Sequence, residues 1–383
     1  MKIQSNYDAI VIGAGIVGAS CALALTNAGL KVLVVDRGPV ASGTTGAGEG
    51  NILVSDKEPG PELTLALKSR DLWFEMREDV GDSFELEAKG GVVVSRGDDR
   101  LLREYAGRQK SAGVEVKEVG DQELHELEPH LTPEIHTGIL YPQDSQCQPM
   151  LAAAQALRVV RTRGGEVITS ATVMKINSGL GKIEGVETTK GNFQAPVVVN
   201  ATGTWAGEIA KLAGSNLPIA PRKGFILVTA PMPQLIFHKV YDSDYVANVA
   251  SGDADLQTST VVEGTRSGTI LIGASRERIG FDKRMNVEVL RKLAAQATSL
   301  FPILRDVQLL RAYNGFRPYA PDHLPVIGED SIVSGLWHSA GHEGAGIGLA
   351  PGSARLIADL IIGATPFMDS APFSPGRFQE GVA

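Results

Sequence analysis

The pattern of hydrophobic and polar positions near the N-terminus predicts a βαβ unit. Continuous apolar runs at Tyr7–Ile12 and Lys31–Asp36 are typical of buried strands, and Gly15–Ala28 between them is typical of a helix. Two strands joined through a crossover helix pair in parallel. The chain is therefore predicted to begin with a parallel sheet.

The middle of the chain changes to helices followed by short strands. Apolar positions at helical spacing predict helices at Glu62–Asp79, Arg100–Ser111 and Met150–Arg163. The strands that follow are typical of an antiparallel meander that leads into a buried strand. They are predicted at Glu166–Ile168, Thr172–Ile176, Lys182–Thr188, Asn192–Gln194 and Val197–Ala201.

A second group of strands has the spacing of another antiparallel sheet. A helix at Val287–Leu300 comes after it, and a proline-containing stretch at Pro129–Pro149 is predicted to be an irregular crossing between domains. Near the C-terminus we expect a strand at Ile332–Leu336 and a helix at Gly346–Ile362. The strands of the second group are predicted at Phe225–Val228, Tyr245–Val249, Ser259–Glu263 and Thr269–Ala274.

Composition excludes several classes of protein. The formal net charge of −8 argues against nucleic acid as a partner, because phosphate binding requires a basic surface. The two cysteines, Cys21 and Cys147, are too few for a disulfide framework or for an iron–sulfur cluster held by this chain alone, and no metal site is expected.

The chain has no apolar run of about 18 residues, so no transmembrane segment is expected. The apolar stretch Ala9–Leu25 leads directly into a strand and is interrupted by glycines, which favours folded structure over a removed leader. We therefore expect a cytoplasmic protein and leave peripheral membrane association open.

The first βα turn carries a dinucleotide-binding motif. Gly13, Gly15 and Gly18 form a G-x-G-x-x-G that follows a strand and opens a helix, and Asp36 ends the next strand. The first glycine allows the tight turn, the second allows close approach of a pyrophosphate, and the third allows close helix–strand packing. Asp36 is placed to accept hydrogen bonds from ribose hydroxyls, which disfavours a 2′-phosphorylated nicotinamide cofactor.

The motif alone does not choose between FAD and NAD, but the rest of the chain does. A nicotinamide-dependent Rossmann dehydrogenase would continue with regularly alternating strands and helices, whereas this chain departs into a long loop and a meander. It returns to a glycine-rich helix start at Gly341–Gly348. Two helix starts that favour phosphate or anion binding, far apart in sequence, fit one cofactor held at both ends.

With these features the sequence resembles the FAD-dependent D-amino-acid oxidase superfamily, in its glycine oxidase and sarcosine oxidase branch. The resemblance implies an α/β fold with a glutathione-reductase-like FAD-binding domain (a parallel sheet plus an antiparallel meander) and a second substrate domain built on an antiparallel sheet. Beyond the first motif, it is carried by Ser42–Gly48, Val199–Ala206, Gly315–Pro318 with Asp322, Pro325–Gly328 and Gly341–Pro351.

The resemblance also implies a division into domains and a set of cofactor contacts. Residues 1–84, 145–218 and 315–383 are expected to form the FAD-binding domain, and residues 85–144 and 219–314 the substrate domain. The motif and the resemblance together assign to non-covalent FAD the residues Gly13, Gly15, Ile16, Val17, Gly18, Asp36, Arg37, Thr44, Thr45, Glu49, Gly50, Asn51, Val173, Gly203, His342, Glu343, Gly344, Ala345, Gly346, Ile347 and Gly348.

Arg317 is the predicted substrate residue, because an arginine matches a carboxylate bidentately and relatives hold the substrate carboxylate at this position. The alternative is a structural arginine in a proline-flanked turn. Tyr245 falls where relatives place a substrate-side aromatic, the alternative being a strand-surface tyrosine. Arg276 either faces the pocket or is solvated.

Two departures from the family pattern matter. Single-chain glycine oxidase has an arginine where this chain has Gly344, which puts simple glycine oxidation in doubt. Sarcosine oxidases attach flavin through a cysteine that follows the arginine-containing turn, whereas Tyr319 follows here after Pro318.

The resemblance is greatest to FAD-carrying β subunits of heteromeric dye-linked dehydrogenases, which oxidise opines, proline or hydroxyproline. It implies oxidation of an amino-acid C–N bond to an imine by hydride transfer to flavin N5, with electrons passing to a partner subunit that carries another cofactor. A second carboxylate of an opine is expected to meet Arg276, Arg222 or Lys223. The alternatives are a single-chain glycine- or sarcosine-type oxidase that produces hydrogen peroxide, and a flavin-binding RNA-modification or non-catalytic nucleotide-binding protein.

Overall fold

The computed structural model describes residues 3–245 and 253–378, and its strands and helices are numbered in chain order. The strands are β1 Ile3–Asn6, β2 Ala9–Ile12, β3 Val32–Val35, β4 Asn51–Ile52, β5 Gly91–Val94, β6 Lys117–Val119, β7 Gly138–Tyr141, β8 Ser145–Gln146, β9 Glu166–Ile168, β10 Val173–Gly179, β11 Lys182–Thr188, β12 Gly191–Gln194, β13 Val197–Asn200, β14 Ala220–Thr229, β15 Lys239–Asp242, β16 Gln257–Gly264, β17 Ile270–Arg276, β18 Leu309–Tyr319, β19 Val326–Glu329 and β20 Leu336–Ala340. The α-helices are α1 Ile16–Asn27, α2 Pro61–Val80, α3 Arg100–Ser111, α4 Asp121–Leu127, α5 Pro149–Thr162, α6 Ala206–Leu212, α7 Val287–Leu300 and α8 Gly346–Ile361. Short 3₁₀ turns lie at Thr44–Ala47, Gly203–Trp205, Pro302–Asp306, Glu343–Ala345, Ala371–Phe373 and Pro375–Phe378.

The predicted βαβ unit forms the middle of a six-stranded sheet with the order β19-β20-β13-β2-β3-β9. Its strands run parallel except at the β19–β20 edge. Both faces of β2 and β3 are buried: Val11 and Val34 pack in the core formed with the helices, while Ile10 and Leu33 pack against the meander. This double burial explains why these strands have continuous apolar runs instead of alternation.

The predicted meander is present as β10, β11 and β12, which pair antiparallel. β1 joins it by pairing in parallel with β12, which completes a four-stranded sheet. β9 was predicted as the first strand of this run, but it pairs with β3 at the edge of the parallel sheet instead.

A third sheet of eight strands has the order β18-β14-β17-β16-β15-β5-β7-β6. It is antiparallel throughout except for the β15–β5 pair, which is parallel. α7 covers one face, where Leu293 and Ala297 pack with Phe225 and Leu227 of β14 in a second core. The opposite face of β14 and β18 is thereby free to contribute to the cavity described below.

Several predicted elements differ from the structure. Residues 332–335 form a turn and β20 begins only at Leu336, because the Asp330 carboxylate accepts hydrogen bonds from the backbone N–H groups of Ile332 and Val333. The stretch Pro129–Pro149 contains β7 and β8 and is therefore not irregular throughout.

The predicted strand Tyr245–Val249 is wrong at its first residue, since Asp244 and Tyr245 are helical, and residues 246–249 lie outside the described residues. The sequence pattern missed β18, which places Arg317 within an eleven-residue strand and not in a proline-flanked turn. The proposed domain boundary at residue 315 falls inside this strand, and the division into two domains stays a prediction. Within residues 3–245 and 253–378, no helix combines the length and apolar character needed to span a bilayer.

Candidate active site

One elongated cavity of about 610 Å³ runs between the parallel sheet and the eight-stranded sheet. This volume is in the range of small-molecule and cofactor sites. Of the residues assigned to FAD, those that line the cavity are Gly13, Gly15, Ile16, Val17, Asp36, Arg37, Thr44, Thr45, Glu49, Asn51, Val173, Gly203, His342, Glu343, Gly344, Gly346 and Ile347. Arg317 and Tyr245 line it as well.

Gly18, Gly50, Ala345 and Gly348 were assigned to the cofactor but do not line the cavity. Two of these glycines allow close packing directly behind it. A side chain at Gly18 would overlap the carbonyl oxygen of Gly13, and one at Gly50 would overlap the carbonyl oxygen of Cys147. Their role is therefore to let backbone segments approach each other.

The glycine turn is held in place from two directions. Gly13 has φ +115°, a conformation that side chains disfavour, and its N–H donates to the carbonyl of Val35 at 2.8 Å. The Asp36 carboxylate accepts from the backbone N–H of Ala14 and of Gly38, both at 2.7 Å. Asp36 thus braces the turn as well as facing the cavity.

Neither helix that opens onto the cavity is capped by the side chain of the residue that precedes it. At α1, the preceding residue is Gly15, and the N–H of Ile16 donates to Thr45 Oγ1 at 3.0 Å. At α8, the preceding residue is Ala345. The partial positive charge of a helix N-terminus is therefore presented at two places along one cavity.

These features fit FAD. The cavity combines a carboxylate suited to ribose hydroxyls, two helix N-termini for phosphate and for an anionic ring edge, and apolar walls. Two buried polar atoms, Glu49 Oε1 and Asn51 Oδ1, accept no hydrogen bond from any residue within the described ranges. They are available to donor groups of a polar ligand.

Trp205 is a cavity residue that the sequence analysis left unassigned, although it lies within the quoted segment Val199–Ala206. The guanidinium of Arg37 lies 4.1 Å from the centroid of its ring, and Phe281 stacks on it at 5.5 Å between centroids. The feature of the sequence that could have identified Trp205 is an aromatic residue two positions after Gly203.

His342 lines the cavity next to the start of α8, but its ring is held by a contact within the protein. It is fully buried, and its Nε2 is 2.9 Å from the hydroxyl of Ser353. Burial lowers the pKa of His342 to about 4, so the ring is neutral at physiological pH. A neutral ring that is hydrogen-bonded to Ser353 is suited to holding the loop before α8 in place.

Arg317 reaches the cavity because of a glycine on the neighbouring strand. Its Nη1 donates to the carbonyl of Ser275 at 2.8 Å, and any side chain at Gly224 would overlap that same nitrogen. Gly344 leaves further space beside it, since a side chain there would lie 3.6 Å from Arg317 Nε. The guanidinium of Arg317 is therefore anchored at the edge that bears Nη1, and its other edge is open.

The other basic candidates have different surroundings. Arg222 is buried and pairs with the Glu343 carboxylate at 3.2 Å, while Lys223 Nζ donates to the carbonyl of Arg284 at 2.7 Å. Arg276 is only 5% exposed, which rules out the solvated alternative. Burial, together with the nearby charges of Arg317 and Arg222, lowers the pKa of Arg276 to about 10.

Tyr245 is buried, and its ring contacts that of Tyr241 edge-on at 5.1 Å between centroids. It is therefore not a strand-surface tyrosine. It lines the same cavity as Arg317, which is consistent with the predicted substrate-side position.

A buried ion network that the sequence did not reveal lies behind Glu49. Lys239 Nζ is 3.5 Å from a carboxylate oxygen of Glu49 and 3.5 Å from one of Glu263. Burial by itself lowers the pKa of Lys239, but the two carboxylates raise it overall. The network fixes a charged side chain in the cavity wall.

Comparison with known proteins agrees with this architecture. A family model described as "DAO: FAD dependent oxidoreductase" matches residues 8–360. Glycine oxidase from Pseudomonas aeruginosa is 30% identical over 375 residues, which cover 96% of this chain and 98% of that protein. Hydrogen cyanide synthase subunit HcnC from the same organism is 28% identical over 426 residues, covering 100% of this chain and 98% of that protein.

The crystal structure of L-proline dehydrogenase from P. horikoshii superposes with a TM-score of 0.89 at 26% identity, covering 100% of this chain and 99% of that chain. This likeness over the whole length confirms the predicted fold class.

Proposed function

Since the chain belongs to the DAO family of FAD-dependent oxidoreductases, we propose that it oxidises the C–N bond of an amino acid or an N-substituted amino acid to an imine. The position of Arg317 in the cavity wall is the observation that supports this proposal most directly. A guanidinium that lines the cavity and is anchored on one side by Ser275 is suited to bind a carboxylate bidentately. Similarity to glycine oxidase and to L-proline dehydrogenase supports the same class of substrate.

The residues of this chain bind and orient the substrate. Arg317 would hold the carboxylate, and the buried Tyr245 would exclude water from one side of the substrate. FAD, when bound, supplies the electron acceptor. The site requires no side-chain base if the amine binds in its neutral form, and the buried His342 is not positioned as one.

For the substrate class we favour opines, proline or hydroxyproline over glycine, because Gly344 removes the arginine expected of a single-chain glycine oxidase. We further propose that the chain is a β subunit of a heteromeric dehydrogenase, with a partner subunit that carries a second redox cofactor. The similarity to HcnC, itself named as a subunit of hydrogen cyanide synthase, supports this assembly.

A single-chain oxidase that produces hydrogen peroxide is the second candidate, favoured by the 30% identity to glycine oxidase. A non-catalytic nucleotide-binding module is not retained, because the matching family consists of oxidoreductases.

The proposal is tested by anaerobic mixing of the purified FAD-loaded protein with opines, proline, hydroxyprolines, sarcosine and glycine. At least one of these is expected to bleach the flavin absorbance. If none does so at millimolar concentration, the proposed reaction is wrong.

Arg317→Ala is expected to keep bound FAD while raising the KM for the bleaching substrate by roughly 100-fold, since a charge-assisted bidentate pair is lost. FAD content is measured by absorbance and KM by steady-state kinetics. Arg311→Ala, an exposed arginine on the same strand, serves as the control. An unchanged KM would remove Arg317 from the carboxylate site.

A further inference from the structure

Three arginines lie near one another at the end of the cavity that Tyr245 and Arg317 line, since the charges of Arg317 and Arg222 both lower the pKa of Arg276. Arg222 and Arg276 lie behind the lining residues. Arg222 and Arg317 are directly opposite each other on β14 and β18. Arg276 follows Ser275, the residue whose carbonyl accepts from Arg317, and the two guanidinium groups are close enough for the charge of Arg317 to lower the pKa of Arg276. Three positive charges are therefore fixed around a small volume.

The arginines differ in what neutralises them. Arg222 pairs with Glu343, and that carboxylate is also 2.8 Å from the ring of His323. Arg276 lies over the ring of Tyr245, with 5.2 Å between the guanidinium carbon and the ring centroid. Within residues 3–245 and 253–378, no carboxylate pairs with Arg276.

A 5%-exposed guanidinium that lacks an anionic partner is unfavourable in a folded protein. The ring contact with Tyr245 provides only part of the compensation that a carboxylate would provide. Tyr245 itself lines the cavity, so an anionic group bound there would lie next to Arg276.

The other charged side chains near the arginines also favour an anionic group of the ligand at this end of the cavity. Asp56 and Lys57 form an ion pair with each other, and burial raises the pKa of Glu62 to about 7, so this carboxyl opposes the arginines less than an ordinary glutamate would. The three arginines are then opposed mainly by Glu343. A substrate with one carboxylate and a neutral amine leaves positive charge uncompensated, whereas a second carboxylate compensates it.

We propose that the substrate carries two carboxylates, with Arg317 binding the one next to the oxidised C–N bond and Arg276 binding the other. This inference rests on the proposed amino-acid oxidation and narrows it. It favours N-(carboxyalkyl) amino acids or amino acids with an acidic side chain over proline, hydroxyproline, sarcosine and glycine.

The test measures binding to the FAD-loaded protein by isothermal titration calorimetry under anaerobic conditions, and separately by the ligand-induced rise in Tm. The dicarboxylate probes are N-(1-carboxyethyl)alanine, iminodiacetate and glutamate, and the monocarboxylate probes are sarcosine and proline. The first two probes place the second carboxylate on the nitrogen substituent, whereas glutamate places it on the side chain.

The wild-type protein is expected to bind at least one dicarboxylate class about tenfold or more tightly than either monocarboxylate. Arg276→Met is expected to abolish that preference and to leave proline and sarcosine affinities within about twofold, while Arg276→Lys restores part of it. Arg311→Met is the matched control, because Arg311 also lies over a tyrosine ring, that of Tyr313, but is exposed.

A wild-type protein without preference for dicarboxylates would overturn the inference, and so would an Arg276→Met variant with equal losses for both classes. FAD content of each variant, read from its absorbance, shows that the fold is retained. If proline bleaches the flavin and Arg276→Met changes the affinity of no ligand, the proposed oxidation stands. The assignment of Arg276 to a second carboxylate is then wrong. Absence of bleaching by every amino acid would reject the proposed function itself.

Discussion

At the scale of single residues, burial decides what each polar side chain in the cavity wall can do. His342 is an imidazole next to the helix start that was assigned to the cofactor, yet its contact with Ser353 and its complete burial make it a neutral structural group. Arg276 is also buried but stays protonated near neutrality, because its pKa falls only to about 10. Similar burial therefore produces a neutral spacer in one case and a fixed cation in the other.

The buried His342 predicts a loss of stability in mild acid. Its pKa is about 4 in the folded protein and near 6.5 in the unfolded chain, so only the unfolded chain binds this proton between those values. The contribution to the free energy of unfolding is fully present above pH 6.5 and is lost as pH falls toward 4, by on the order of 2–3 kcal/mol.

This prediction is checked by chemical denaturation at pH 5.0 and 7.5. His342→Gln should reduce the difference in unfolding free energy between the two pH values, whereas His136→Gln, at an exposed histidine, should not. Equal pH dependence in His342→Gln and the wild type would contradict this account of His342.

At the scale of secondary-structure elements, the cofactor cavity depends on how closely α1 can approach the turn before it. Gly18 lies in the first turns of α1, where its Cα faces the carbonyl of Gly13 and the side chain of Ala201. A methyl group at this position would push the helix away from the turn. The helix N-terminus and Thr45 Oγ1 would then no longer meet, because their hydrogen bond has a length of 3.0 Å.

Gly18→Ala is therefore expected to lose most bound FAD and to lower Tm by several degrees. The matched control is Gly107→Ala in α3, where an added methyl group meets no atom within 4 Å. That control is expected to stabilise the helix by about 1 kcal/mol, because alanine loses less backbone entropy. Retention of FAD and of Tm in Gly18→Ala would show that the helix can shift at little cost.

The longest strand shows how pairing can override local pattern. β18 contains a glycine, a proline and two arginines, a composition that does not predict a buried strand. It forms because it pairs along nearly its whole length with β14. That pairing carries Arg317 into the cavity, so the assignment of Arg317 came from the family resemblance and its geometry from a strand that the pattern missed.

At the scale of the whole molecule, the cysteine content of the chain bears on how electrons leave the flavin. The chain has only two cysteines, which are too few to hold by themselves an iron–sulfur cluster that could relay electrons. The proposed β-subunit role therefore requires a partner chain with its own redox cofactor.

The isolated, FAD-loaded chain is expected to reduce an artificial dye with a bleaching substrate and to release little hydrogen peroxide in air. Dye reduction is followed by absorbance and peroxide by a coupled peroxidase assay, with the Arg317→Ala variant as the substrate-binding control. Stoichiometric peroxide release at the rate of substrate oxidation would instead establish the single-chain oxidase.

Local sequence was sufficient for the features that depend on backbone constraints between near neighbours. The G-x-G-x-x-G turn, α1 and Asp36 could be predicted because a glycine with φ +115° and a buried parallel strand leave few alternatives. The family resemblance then supplied FAD, the general fold and Arg317. Tyr245 was assigned to the correct cavity but to the wrong secondary structure.

Tertiary structure alone decided which charges meet. Glu49, Lys239 and Glu263 come together only when a cavity loop packs on the eight-stranded sheet, and Arg276 is buried beside Arg317 only because β17 and β18 flank β14. Burial and pairing of charges depend on contacts between distant segments. They therefore cannot be predicted from periodicity and spacing along the chain. The sequence by itself determined the cofactor turn and the class of fold, whereas packing determined how charges are distributed around the cavity.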